Sequence, residues 1–198
     1  MSVAVASGPD AFSQGVVQCL SPAILRRAAD DDVGLAIWRR PARVALRLPS
    51  EALLAMPPSC RVTAGTPAAA TRALMRELPF PARPLGGDIE TLAAMFAGLA
   101  GEAEIRLRLE HVDDDACRCH HVDSVGLRLL CTYAGPGTEW LDPGGHAHRM
   151  PLMHVGVFKG TRFPDAAPRV LHRSPPVSHL PPGKRSRILL CIDQPGVF

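Results

Sequence analysis

From residue 105 onward the chain reads as short apolar stretches cut by glycine and proline, and this constrains the fold more than any other feature. Ile105-Arg106-Leu107-Arg108-Leu109 alternates apolar and charged residues, the period of a strand buried on one face and solvated on the other. Residues 125–133 form a second, leucine-rich stretch, followed by the turn Ala134-Gly135-Pro136-Gly137 and a further strand start, Thr138-Glu139-Trp140-Leu141. After a loop over 142–149 come apolar stretches at 153–159, 169–172 and 187–192. Strands this short, separated by such turns, indicate an all-β sandwich or barrel over 101–198.

Residues 1–100 carry a mostly helical pattern. Ser21-Pro22 before Ala-Ile-Leu-Arg-Arg-Ala-Ala, and Thr66-Pro67 before residues 68–78, both place an N-cap ahead of a proline in the first helical turn. A third segment from Asp88 through Leu92, Met95, Phe96 and Leu99 to Gly101 has the spacing of one helix face. Val44-Ala45-Leu46-Arg47-Leu48 suits a strand or a short helix. The whole, 1–198, is expected to be one α+β domain.

With 22 basic and 19 acidic residues, the charge is too balanced for a nucleic-acid protein, which concentrates basic residues on one face. The run Lys184-Arg185-Ser186-Arg187 leads directly into an apolar strand and is read as the start of that strand. No stretch reaches the ~20 apolar residues that span a bilayer. Met1 to Pro9 lacks the basic and apolar regions of a secretory signal, so a cytoplasmic location is expected. Six cysteines are scattered along the chain; Cys131 and Cys191 lie in apolar runs and suit a reduced core.

The chemistry concentrates in His121-Val122-Asp123. Two residues apart on an extended chain, an imidazole and a carboxylate point to the same side and can grip one metal ion. With a second histidine they make the two-His, one-carboxylate triad of non-haem Fe(II) oxygenases. His172, before the turn Ser174-Pro175-Pro176, is placed to be that histidine. His111-Val112-Asp113 repeats the motif but runs into Asp114 and Asp115, as a solvated turn does, so the second copy is preferred. His121 and Asp123 also suit an ordinary hydrogen-bonded pair, and His172 a turn cap. Arg187 suits an exposed strand position, with Arg185 the alternative basic residue. Arg128 and Tyr133, on the strand after the motif, are candidates to reach a cosubstrate or substrate, or else to pair and pack structurally. Cys117-Arg118-Cys119-His120-His121 offers sulfur and nitrogen donors that suit zinc. His146, His148 and His154 offer a further set, read as a solvated loop.

The order His-x-Asp, strands, glycine turn, His and closing-strand Arg resembles that of Fe(II)/2-oxoglutarate-dependent dioxygenases. That resemblance implies a double-stranded β-helix, a jelly-roll or cupin-like barrel, flanked by N-terminal helices. It implies Fe(II), or Zn(II) in a non-catalytic member, on His121, Asp123 and His172. It also implies 2-oxoglutarate with its far carboxylate on Arg187. A more specific resemblance is to the bacterial family catalogued as domain of unknown function 1826. It is carried by Leu107–Glu110, Cys117, His121-Val122-Asp123, Arg128-Leu129-Leu130 and residues 132–140, then by Phe158-Lys159-Gly160, residues 172–176 and Arg187-Ile188-Leu189-Leu190. Ala36-Ile37-Trp38-Arg39-Arg40 extends it into the first half. It implies a link to zinc homeostasis, while the substrate, small molecule or peptide, is unspecified. Cys119-His120 departs from the bulkier apolar residue expected before the metal histidine.

Overall fold

The computed structural model describes residues 15–164 and 168–196. Residues 1–9, read above as carrying no secretory signal, lie outside the described residues. The strands are β1 (Val16–Cys19), β2 (Leu35–Trp38), β3 (Ser59–Gly65), β4 (Ile105–Val112), β5 (Leu127–Ala134), β6 (Glu139–Leu141), β7 (Ala147–Arg149), β8 (Val155–Lys159), β9 (His172–Arg173) and β10 (Arg187–Asp193). The α-helices are α1 (Arg47–Leu54), α2 (Pro67–Arg76) and α3 (Arg83–Ala100). The fold is mixed α+β, mostly sheet with few helices.

Seven strands form one sheet in the order β1-β2-β8-β5-β10-β4-β3, and β7-β6-β9 form a small second sheet. Neighbours in the large sheet are antiparallel except β1 and β2. Because side chains alternate along a strand, parity assigns each residue to a layer. Leu107 and Leu109 of β4, Leu129 and Cys131 of β5, and Ile188 and Leu190 of β10 share one core with Ile89, Leu92 and Phe96 of α3. Leu130, Leu189 and Cys191, of the opposite parity, join Leu35, Ile37 and Phe158 against Trp140, Met150 and Val170. The helices thus cover one face of the large sheet, and the small sheet covers the other.

Three strands come from the half that reads as mostly helical. β1 and β2 have four residues each, too few to display a period. β3 is a sheet edge whose sequence, Ser-Cys-Arg-Val-Thr-Ala-Gly, is small and polar and alternates half-buried and exposed. The sheet therefore draws on both halves of the chain instead of starting at residue 101. Val44–Leu46 is a 3-10 turn that runs into α1. Ser21 caps as expected, accepting from the Ala23 amide, but the helix that follows, Pro22–Ala29, is 3-10. α3 starts earlier than Asp88, with proline in its first turn, and stops where Gly101 takes φ 69°. That left-handed conformation is cheap for glycine and ends a helix cleanly. No helix among the described residues is long and apolar enough to cross a membrane.

Candidate metal centre

His121, Asp123 and His172 come together at the junction of the two sheets. His121 and His172 form an antiparallel bridge and exchange backbone hydrogen bonds of 2.9 and 3.0 Å. His172 opens β9 and pairs with Trp140 of β6, and Phe158 packs against its ring at 4.4 Å between centroids. Asp123 sits on the segment leading into β5, where its carbonyl accepts from the Thr161 amide at 2.9 Å. A Cβ on Gly160 would stand 2.7 Å from that carbonyl oxygen and 2.2 Å from that of Val125. Only glycine allows the Asp123 segment to lie this close to the end of β8.

One donor atom from each of the three side chains lies within 4.8 Å of the others. His121 Nδ1 is 2.9 Å from the Cys119 carbonyl oxygen, and His172 Nδ1 is 3.4 Å from that of Val170. A carbonyl only accepts, so these contacts put a proton on Nδ1 and make Nε2 the nitrogen that can ligate a metal. Both Nε2 atoms face the carboxylate: His172 Nε2 is 2.9 Å from Asp123 Oδ2, and His121 Nε2 is 3.5 Å from Oδ1. Oδ2 is buried and faces His172 Nε2. A buried carboxylate beside two imidazole nitrogens suits a metal ligand. Burial would raise the Asp123 carboxyl, but the His172 and Arg128 contacts outweigh it and hold it below the usual carboxylate range. The group is therefore ionised, as a ligand must be. Two imidazoles and a carboxylate fit a divalent transition metal.

The three residues share a cavity of about 130 Å³ with Arg108, Glu110, Cys117, Arg128, Thr138 and Ser174. Arg187 lies behind that wall at 1% exposure. It donates from Nη1 to Ser174 Oγ at 3.0 Å, and from Nη2 to Thr138 Oγ1 at 3.0 Å and Thr132 Oγ1 at 3.2 Å. Its Nε has no partner, and no carboxylate among the described residues is within ion-pair distance of it. Burial without an anionic partner pulls its guanidinium down to about 10. A buried cation held only by hydroxyls is a strong attractor for an anion. Arg185 instead donates to the Leu180 carbonyl.

The remaining sequence candidates separate. Arg128 lines the cavity but is engaged by carboxylates: Asp193 through Nε and Nη2, at 2.6 and 2.9 Å, and Asp123 through Nη1 at 2.5 Å. Tyr133 is not in the cavity. Its parity turns it to the helix side, where its hydroxyl donates to Asp88 Oδ2 at 2.8 Å. Of the other motif copy, His111 is buried with both ring nitrogens unpartnered and Asp113 is exposed. Cys117 and Cys119 are exposed, and among the described residues His121, Asp123 and His172 alone gather three metal-capable donors in one place. His146 and His148 both contact Asp142, at 3.2 and 2.9 Å. Sequence reading misses Asp193, Thr132 and Thr138. The available signal for Asp193 is a lone carboxylate ending the apolar run Ile188-Leu189-Leu190-Cys191-Ile192.

Among solved structures, a "putative oxygenase" from Shewanella oneidensis is similar over 94% of this chain and 92% of its own, at 14% identity and a TM-score of 0.53. A "putative 2OG-Fe(II) oxygenase family protein" from Caulobacter crescentus is similar over 93% and 86%, at 17% identity and a TM-score of 0.51. These likenesses establish a shared fold. A full-length protein of Neurospora crassa, solved in complex with alpha-KG, aligns over 50% of this chain at 17% identity and a TM-score of 0.37, and this chain covers 39% of that protein's length. No curated protein sequence matches. The family model described as "Protein of unknown function (DUF1826)" matches residues 20–193, and the chain is a member of that family.

Proposed function

We infer that this chain is a non-haem Fe(II)/2-oxoglutarate-type oxygenase on a double-stranded β-helix, with His121, Asp123 and His172 as metal ligands. One observation carries the reading: a buried guanidinium without a carboxylate, Arg187, stands behind the cavity that holds the three ligand side chains. An oxygenase that uses a dicarboxylate cosubstrate needs a place for the metal and, next to it, a charged anchor for the far carboxylate. The fold shared with the Shewanella and Caulobacter proteins, and the names those proteins carry, support it.

On this reading Arg187 binds the far carboxylate, helped by the Thr132, Thr138 and Ser174 hydroxyls. Leu130 and Leu189 give the cavity an apolar side that limits water. Iron bound to the triad supplies the activation of dioxygen that couples oxidation of the 2-oxo acid to that of a substrate. The test is anaerobic loading with Fe(II), calorimetric titration of 2-oxoglutarate, then admission of air. Binding followed by succinate formation is expected; no binding and no succinate would sink the reading.

A second reading, a non-catalytic zinc-binding protein in metal homeostasis, is favoured by Cys117, whose side chain lines the same cavity and is of a type zinc prefers. It predicts tight zinc uptake, lost in His121→Ala and His172→Ala, with no oxygen consumption.

A further inference from the structure

Asp193 is wholly buried at the end of β10. Its cross-strand neighbours are Arg106 on β4 and Arg128 on β5. Arg128 grips it through two hydrogen bonds, while Arg106 and Arg108 stand 3.7 and 3.9 Å from its Oδ2. The one terminal nitrogen Arg128 has left, Nη1, donates to Asp123 Oδ1. Asp123 Oδ2 faces His172 Nε2 at 2.9 Å and is left free of Arg128.

We propose that Asp193 and Arg128 form a positioning relay that reserves Asp123 Oδ1 for the protein and leaves Oδ2 as the single oxygen for the metal. The proposal rests on the metal-site reading above. A carboxylate can bind a cation through one oxygen or through both, and the second mode consumes a coordination position that substrate atoms need. The short, charge-assisted bond to Oδ1 opposes that mode. Its direction is set by Asp193, which fixes the guanidinium plane in a two-point grip that a lysine cannot reproduce. Both anchors sit on adjacent, hydrogen-bonded strands of the large sheet, so the carboxylate is oriented by the sheet itself. Each nitrogen of Arg128 already donates to a protein carboxylate, which makes Arg128 a positioning residue for Asp123 and leaves two of its five N–H groups to the cavity.

The experiment is titration of metal-free protein with Mn(II), with free ion read by electron paramagnetic resonance, in wild type, Arg128→Lys, Arg128→Gln and Asp193→Asn. Infrared difference spectra on loading report whether the ligand carboxylate binds through one oxygen or two. Loss of such an outer partner costs about 10–100-fold in metal affinity. That loss is expected in each variant, together with a change from one-oxygen to two-oxygen binding and an unchanged near-ultraviolet circular dichroism spectrum for Arg128→Lys. A folded variant with wild-type affinity and a wild-type infrared pattern overturns the relay alone. A wild-type protein that takes up no Mn(II) overturns the metal site itself.

Discussion

The large sheet carries a buried arginine network on each face, and the two are built differently. On the helix side Arg40 meets both oxygens of Asp88, at 2.6 and 2.8 Å, and also donates to the Met153 carbonyl. Tyr133 and Arg43 donate to the same carboxylate at 2.8 and 3.0 Å. Every charge there is answered. On the small-sheet side Arg187 touches three hydroxyls and no carboxylate. Burying a cation without a counter-charge in contact costs stability, and the three hydroxyls, with Glu110 and Glu139 acting from a distance, offset only part of it. The first network is closed, and the second, on the proposed function, is the half that the cosubstrate carboxylate completes.

The comparison breaks most visibly at Asp88. Asp88→Asn leaves Arg40 buried beside a neutral group and should lower unfolding free energy by roughly 3–5 kcal/mol in urea titrations. A loss under about 1 kcal/mol would mean the helix-side network is not closed. Arg187→Met should do the opposite in the absence of ligand, leaving stability equal or higher. In the same protein 2-oxoglutarate binding should weaken by at least about 30-fold, the effect of removing one partner of a buried charge pair; calorimetry measures it. Two hydroxyl deletions sharpen the contrast. Tyr133→Phe and Thr138→Val should each cost about 1–2 kcal/mol of stability, but only Thr138→Val should also weaken 2-oxoglutarate binding. The smallest effect is on acid stability. Burial opposes ionisation of Asp88, yet Arg40, Tyr133 and Arg43 hold its carboxyl below the usual range. A depressed folded value adds stability above the unfolded value of about 3.9, and that stability is lost as pH falls through the folded one. Asp88→Asn should therefore flatten the loss of stability below about pH 4.

The sequence exposes the parts of this molecule whose pattern is local. β4 alternates cleanly over Ile105, Leu107 and Leu109, and α3 shows its face through Leu92, Phe96 and Leu99, because each buries its apolar stripe against one layer. His121-Val122-Asp123 is legible for the same reason, as three residues in a row. What stays hidden depends on register. Thr132, Thr138 and Ser174 become partners of Arg187 only after β5, β6, β9 and β10 have folded, and no spacing announces that. Tyr133 faces away from the cavity because its parity is opposite to that of Arg128 and Leu130, and its place beside Asp88 depends on α3, far away in the chain. The first His-Val-Asp copy repeats the letters of the second on a backbone that separates His111 from Asp113, since β4 ends at Val112.

Thr132 and Tyr133 are successive residues of β5, one in contact with Arg187 and the other with Asp88. The closed network therefore serves the open one as a backing plate. Arg187 rests on a strand that is held from behind by the Asp88 network. The freedom that binding would otherwise remove has already been given up during folding. On the proposed function, a site arranged this way would meet its ligand in a fixed shape and favour anions whose length matches the distance already set between Arg187 and Asp123.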